Sequence, residues 1–441
     1  MIVFCVLICV ASSIISYRIY NRFFNPIILF CMPLTICACL ACSGFYGIYR
    51  PSEIALSYIV IAISSFTLGV ALVSRVNKKN LIVCPVSLIN NFSSVDIVQK
   101  WLFTALLSLA TLSCIPYLIK TLPILMESGL VTLKFEYANG IGATLFTTRE
   151  LLFFNWIILP IFNLAFLVFG YSLSQLKINV PALLFSILGI TITICISGGR
   201  NQLFVFLVLV CMSVLMSPFY KSIGKYVREL PNIIKFVAVI GVFVLIYITQ
   251  KRSLSSETSV LGNVFFYFAG AITYFSQILE NPQIFDLDGN LLYGTALFGF
   301  ITNPIEILTA LISGGNVRGS ENIISTSASI YLNFSDSLSG NALCTCLYPF
   351  MRDFGLFGVF LGPLAYGAGS AFVWKKWIGA FEIGSEAERQ RWFMVTAYLS
   401  YCLLFSVWRY VPLFASTGII LLLIFIFTSQ SHGHLNRICK N

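Results

Sequence analysis

The chain has 441 residues, of which 58% are hydrophobic and only 10% are charged. Soluble domains carry about 25% charged residues, so a water-soluble fold of this length could not hide so much apolar surface. The composition excludes a soluble enzyme or a soluble binding module, and it predicts an integral membrane protein.

Eleven continuous apolar runs divide the chain. A helix needs about 20 apolar residues to cross a bilayer, and backbone groups in hydrocarbon must pair internally, so we expect each run to be an α-helix. No basic residue precedes the first run, whereas Arg18 and Arg22 follow it, which favours a retained span with an external N-terminus over a cleaved signal peptide. The runs cover residues 2–16, 26–46, 54–74, 101–119, 151–171, 180–196, 202–220, 236–249, 354–374, 392–407 and 411–428.

Basic residues are distributed unevenly between the two sides of this predicted bundle. With alternating spans, 17 of the 27 Lys and Arg residues share one side with only five of the 17 acids. An excess of basic residues in short loops marks the cytoplasm, so membrane topology accounts for the net charge of +10 without nucleic acid as a partner. The 17 are Arg18, Arg22, Arg75, Lys78, Lys79, Lys100, Lys177, Lys221, Lys225, Arg228, Lys235, Lys375, Lys376, Arg389, Arg391, Arg437 and Lys440.

The predicted architecture is all-α: a polytopic transmembrane helix bundle with about 11 spans and one large external loop. Residues 1–250 contain spans 1–8 and an external loop at 120–150, residues 251–351 form the large external loop, and residues 352–441 contain spans 9–11 and a cytoplasmic tail. Within the large loop, residues 262–279 and 291–312 are apolar and aromatic but interrupted. They predict short interfacial helices or two further spans, which would make 13.

Arginines accumulate where the predicted spans end on the external side, although topology alone disfavours basic residues there. A guanidinium binds phosphate oxygens through a planar fork of donors and stays charged at any working pH. Several arginines around one outer cavity would therefore hold a diphosphate, and the alternative is that they are unconnected basic residues at helix ends. They are Arg149, Arg200, Arg252, Arg318, Arg352 and Arg409, with Lys251 beside Arg252.

Two short motifs add candidates for chemistry. Ser197-Gly198-Gly199-Arg200 joins two spans, and its glycines permit a tight turn and close approach to a ligand; the alternative is a simple helical hairpin. Arg352-Asp353-Phe354-Gly355 stands at the start of a predicted span. The alternative for Asp353 is that its carboxylate only caps this helix.

External carboxylates provide candidates for a general base. The sequence does not choose among Glu150, Glu257, Glu321, Asp336 and Asp353. His and Cys residues lack zinc spacing and Asp286-Leu287-Asp288 is too short to indicate a metal, so we expect no metal and no cofactor.

The motif at Ser197 to Arg200, the large external segment 250–351 and the stretch 341–369 together resemble the O-antigen polymerases of bacteria, also called oligosaccharide repeat unit polymerases. The resemblance implies a glycosyltransferase of the bacterial inner membrane whose active face is periplasmic. It implies transfer of a growing chain from undecaprenyl diphosphate onto a new lipid-linked unit, with the diphosphate as leaving group. By this resemblance Arg200, Arg352 and Asp353 are the catalytic candidates.

Arg200 is also a diphosphate-binding candidate. Arg149, Arg252, Arg318 and Arg409 are further candidates because the predicted topology places them on the external side; they are not part of the motif. The expected partners are the lipid-linked oligosaccharide, membrane lipid and a chain-length regulator protein. Three alternatives stay open: an O-antigen ligase of similar layout, a flippase or other transporter of lipid-linked oligosaccharide, and a sensor or structural membrane protein. A transporter would favour charges in mid-span and internal repeats, which the sequence scarcely offers.

Overall fold

The computed structural model describes residues 1–75, 100–139, 145–217, 260–287, 289–313, 319–336, 339–340 and 344–428. The predicted span at 236–249 and the candidate residues Arg252, Glu257 and Arg318 lie outside these ranges. The first nine described helices are α1 Ile2–Tyr20, α2 Pro26–Ser43, α3 Glu53–Arg75, α4 Lys100–Ser113, α5 Ile115–Asn139, α6 Thr148–Phe153, α7 Leu159–Ser174, α8 Val180–Ser197 and α9 Asn201–Met216. The others are α10 Val260–Glu280, α11 Gly299–Ser313, α12 Ser320–Ala328, α13 Leu347–Phe354, α14 Gly358–Ile383, α15 Glu386–Phe405 and α16 Ala415–Phe427.

Helices long and apolar enough to cross a membrane confirm the predicted class, an all-α membrane bundle. In the described ranges there are six of them, and the pair α4–α5, bent by 46° at Cys114, would make a seventh. Each of the eleven apolar runs except 236–249 overlaps a described helix. The total of eleven spans remains a prediction.

The chain forms two compact units. Unit 1 comprises Met1–Ile82, Ser256–Lys376 and Leu399–Gly418, and unit 2 comprises Val83–Ser255, Trp377–Tyr398 and Ile419–Asn441. Each unit therefore combines segments that are distant in sequence.

Close helix crossings hold unit 1 together. A Cβ at Gly69 of α3 would collide with the carbonyl of Leu364 in α14, and a Cβ at Gly367 of α14 would collide with the carbonyl of Phe66 in α3. Small residues permit such close backbone approach between membrane helices. Beside this crossing the rings of Phe30 and Phe66 stack at 4.1 Å, which fixes how α2 packs against α3.

The two ends of unit 1 differ in charge. At one end the turn 21–25 packs on α14, where the ring of Trp374 lies 6.4 Å from Tyr20 and 6.0 Å from Phe24. We call this the basic end, because Arg18, Arg22, Lys375 and Lys376 belong to these segments. The other end of α2 leads into residues 44–52, where the hydroxyl of Tyr49 donates to Asp336 at 2.8 Å. Residues 44–52, 281–287, 289–306, 319–321, 331–336, 352–353 and 406–415 form what we call the polar end.

Helix α10 packs along α2 and on the connection between α2 and α3. Along this helix Phe265 packs on Phe45 and Tyr46, Thr273 donates to the Tyr49 carbonyl, and Ser276 donates to Ser52. Neither α10 nor α11 is among the described helices that are apolar and long enough to cross a membrane, and both alternatives for these segments stay predictions.

The polar end also contains a short two-stranded β-sheet. Strands Leu332–Asn333 and Ser339–Gly340 pair antiparallel, with Leu332 opposite Gly340. The backbone N–H of Tyr49 donates to Phe334 at 2.7 Å, so this segment and the α2–α3 connection lie on the same side. The predicted topology places residues 44–52 and 331–336 on the external side, and this contact agrees with that prediction.

Helix α7 forms the centre of unit 2. From Pro160 to Ser174 every side chain except that of Asn163 is buried. Gly170 lies directly against Ser213 of α9, and Gly189 of α8 lies against the ring of Phe162. A π-helical segment, Phe154–Ile158, precedes α7 and accommodates Pro160, whose ring cannot continue a regular α-helical ladder.

The predicted loop 120–150 is mostly helical. Helix α5 does not end at residue 119 but continues to Asn139, with a break at Gly129, whose φ is 79°. Apolar residues continue beyond Lys120 through Leu122 to Met126, and they extend the helix where a single charge suggested an end.

Candidate functional site

Arg352 is buried at the polar end of unit 1 and forms an ion pair. Its side chain is 3% exposed, its Nη2 lies 2.6 Å from Asp286 Oδ2, and its Nη1 donates to the Phe285 carbonyl at 3.3 Å. The same carbonyl accepts from the Tyr348 hydroxyl at 2.9 Å. Arg352 therefore fastens residues 285–286 to α13, and in this conformation its guanidinium is already paired with a carboxylate.

Asp353 is completely buried and binds backbone donors of a distant segment. Its Oδ1 accepts from Ala296 N at 3.0 Å and its Oδ2 accepts from Leu297 N at 2.6 Å. The carbonyl of Asp353 also accepts from Tyr293 N at 3.1 Å. The carboxylate thus fixes the turn that leads into α11, rather than capping the span that follows it in sequence.

Asn303 connects three segments of the polar end. Its Nδ2 donates to the Leu413 carbonyl at 2.6 Å, and its Oδ1 accepts from Ser320 Oγ at 3.1 Å and Glu321 N at 3.2 Å. Glu321 in turn accepts from Ala415 N at 2.9 Å. We call Asn303, Glu306, Ser320 and Glu321 the Asn303 cluster. It joins the start of α11 to the starts of α12 and α16.

Glu306 is the one member of this cluster with an unused acceptor. Its Oε2 is buried and has no hydrogen-bond partner among the described residues. A Cβ at Gly319 would lie 2.6 Å from that oxygen, so a larger residue there would require the Glu306 side chain to shift. Burial raises the pKa of Glu306, and a hydrogen bond from the Ser320 backbone offsets part of this increase. Sequence reasoning missed Glu306, although a single acid within an apolar segment is a recognisable signal.

Arg409 lies close to this arrangement and is half-buried. Its guanidinium carbon stands 5.3 Å above the ring of Phe414, and the guanidinium interacts with the hydroxyl of Tyr401. The neighbouring Tyr410 donates to the carbonyl of Leu297 at 2.8 Å, the same residue whose backbone N–H donates to Asp353. The polar end thus brings together Arg352, Asp353 and Arg409, three of the predicted residues.

Arg200 belongs to unit 2 and follows a tightly packed turn. Gly198 has a φ of 60°, and a Cβ there would lie 2.8 Å from both Leu130 O and Lys134 N. Ser197 Oγ accepts from Gly199 N at 3.1 Å. The turn therefore packs directly on the second half of α5, and the half-buried Arg200 stands at the N-terminal cap of α9.

Arg149 also belongs to unit 2 and is exposed in the first turn of α6. The next residue, Glu150, closes a capping box with Thr147, and its Oε1 lies 2.7 Å from Lys120 Nζ. Glu150 therefore already has a structural role and two strong partners. The ion pair also fastens α5 to the start of α6.

The predicted arginines thus fall into two separate groups among the described residues: Arg352 and Arg409 in unit 1, and Arg149 and Arg200 in unit 2. No group of three or more His, Cys, Asp or Glu residues in the described ranges could hold a metal ion. The expectation of a metal-independent site stays a prediction.

No family model, curated protein or solved structure matches this chain. The fold itself defines the class: a multi-pass, all-α membrane protein with a polar, hydrogen-bonded cluster at one end of one unit.

Proposed function

We propose that the chain polymerises oligosaccharide repeat units linked to undecaprenyl diphosphate, on the periplasmic face of the bacterial inner membrane. One observation carries the proposal. Glu306 of α11 has a buried oxygen without a hydrogen-bond partner among the described residues, and it belongs to the cluster that joins α11 to the starts of α12 and α16. A lipid-linked sugar would reach a site at one end of the helix bundle without leaving the bilayer.

The reaction needs a proton acceptor, and we assign this role to Glu306. The carboxylate takes the proton of the acceptor sugar's hydroxyl while that oxygen forms a bond to the anomeric carbon of the growing chain. The bond between that carbon and the phosphate oxygen breaks, and undecaprenyl diphosphate leaves with the electron pair. A positioned base of this kind contributes a factor of about 10² to 10⁴ in rate.

Negative charge that develops on the leaving diphosphate needs fixed positive partners. A preorganised donor at such a position contributes about 3 kcal/mol. Arg409, which is half-buried at the polar end of unit 1, is our first candidate for this role beside Glu306. Arg200 and Arg149 belong to unit 2 and stay candidates from the sequence alone. Arg252 and Arg318 stay candidates from topology alone. We assign Arg352 and Asp353 to holding residues 285–297 in place, although a direct catalytic part for them stays a prediction.

A deletion strain tests the proposal through its surface polysaccharide on a gel. We expect single repeat units in place of a ladder, and the wild-type gene should restore the ladder. A ladder that persists unchanged would reject polymerisation, whereas complete chains that remain on the lipid carrier would indicate the ligase alternative.

Variants of Glu306 test the assigned base. Glu306→Gln should lower the polymerisation rate at least about 100-fold, whereas Asp336→Asn, which alters an exposed carboxylate of the same end, should leave it unchanged. Both variants should accumulate to the wild-type level. Because burial raises the pKa of Glu306, the wild-type rate should fall as pH drops through that raised pKa, where the carboxyl becomes protonated. A pH-independent rate, or a normal ladder from Glu306→Gln, would remove Glu306 from the mechanism.

A further inference from the structure

A groove runs between α1 and α2 at the basic end of unit 1. Its volume is about 530 Å³, and its lining includes Val10 and Ile14 from α1 and Ile28 and Met32 from α2. Pockets of roughly 300–1,000 Å³ are typical of small-molecule sites. The groove is therefore large enough for a substantial part of one lipid molecule.

The walls of the groove follow helical spacing. On α1, Val10, Ile14 and Arg18 are four residues apart and lie on one face, so an apolar stripe ends in a cation. The stripe from residue 10 to residue 18 is about 12 Å long, which matches a stretch of about eight to ten methylene groups. On α2, Ile28 and Met32 have the same spacing and form the facing wall.

Two arginines form the mouth of the groove. Arg18 and Arg22 both line it, and no Asp or Glu is among the lining residues. A guanidinium binds phosphate oxygens with well-defined geometry. A ligand with an anionic phosphate head and an apolar tail therefore complements both the charge and the apolar lining of the groove.

The groove is held open by a fixed turn between its two helices. The side chain of Asn25 donates to the carbonyls of Arg22 at 2.9 Å and Phe23 at 3.0 Å. Its Oδ1 accepts from the Ser16 hydroxyl and from Ile28 N. One buried amide thereby ties α1, the turn and α2 together, so a ligand meets a preorganised site and not a flexible loop.

The geometry points to a binding site for one anionic phospholipid, with its phosphate against Arg18 and Arg22 and one acyl chain along the apolar walls. Basic pockets between membrane helices attract anionic head groups, and each cation near the surface contributes about 1 kcal/mol, or about fivefold. The basic end lies a full helix length from the polar end, so this site is separate from the proposed reaction and does not depend on it.

The test uses the purified full-length protein, stripped of lipid and exposed to equal amounts of phosphatidylglycerol and phosphatidylcholine. Native mass spectrometry should detect one retained phosphatidylglycerol per chain in preference to phosphatidylcholine. The double variant Arg18→Gln/Arg22→Gln should lower that preference about 30-fold. The matched control Lys375→Gln/Lys376→Gln removes the same charge at the same end but outside the groove, and it should keep the preference.

Three outcomes would overturn the proposal. Equal retention of the two lipids by the wild type would exclude a specific site, and equal loss in the arginine and lysine variants would indicate general surface charge. Stronger retention of undecaprenyl phosphate than of phosphatidylglycerol would identify a different occupant. Because the first and third comparisons use the wild-type chain, they remain decisive even if the arginine variant fails to fold.

Discussion

Replacement of Asp353 tests whether this carboxylate supports the fold or takes part in the reaction. It accepts hydrogen bonds from the backbone of Ala296 and Leu297, and both residues are buried. Asp353→Ala leaves two buried N–H groups without their acceptor, and each costs about 1–3 kcal/mol. We therefore expect a local destabilisation of at least about 2 kcal/mol. Asp353→Asn keeps one acceptor oxygen and should fall between the wild type and Asp353→Ala.

Hydrogen exchange measured by mass spectrometry on the detergent-solubilised protein reads this effect locally. A cost of 2 kcal/mol in the opening of residues 293–303 corresponds to an exchange rate about 30-fold faster. Asp336→Ala is the control, because its exposed carboxylate has a hydrogen bond to Tyr49 at the same end and should change exchange little there. If Asp353→Asn exchanges like the wild type yet yields no polysaccharide ladder, the structural role is refuted and a direct catalytic role is favoured.

Three further variants test other contacts. Asp286→Ala should destabilise the protein because it leaves the buried Arg352 without its partner, and the added change Arg352→Met should restore part of the loss; thermal unfolding with no such recovery would contradict this reading. Gly198→Ala should cost about 2–4 kcal/mol, since the residue has a positive φ and faces backbone atoms, whereas Gly369→Ala, with open space at its Cβ, should be tolerated in the same unfolding assay. Glu150→Gln should lose at most about 1–2 kcal/mol, for a part-exposed ion pair and a cap; a lost ladder at normal stability would favour Glu150 over Glu306 as the base.

The sequence predicts the spans because each is a continuous apolar run, which is the one feature that a bilayer imposes locally. The segments at 180–196 and 26–46 correspond closely to α8 and α2. The prediction fails where a charge within an apolar segment suggests a helix end, as at Lys120, because that side chain reaches Glu150 while the helix continues.

The roles of the site residues depend on contacts between segments far apart in sequence. Asp353 suggests a helix cap from its local position, but its partners precede it by 57 and 56 residues. No local pattern encodes that distance. Glu306 was overlooked for a related reason: its environment depends on Gly319, which approaches it only in the folded chain.

Site-directed labelling tests the sidedness on which the proposed function depends. Asp336 at the polar end and Lys376 at the basic end are both exposed, so each tolerates replacement by Cys. Spheroplasts treated with a membrane-impermeant maleimide, followed by mass spectrometry of the labelled peptides, distinguish the new thiols from the native ones. We expect label at position 336 in intact spheroplasts, and at position 376 only after lysis. Label at 376 but not at 336 in intact spheroplasts would place the polar end in the cytoplasm and contradict polymerisation at the periplasmic face.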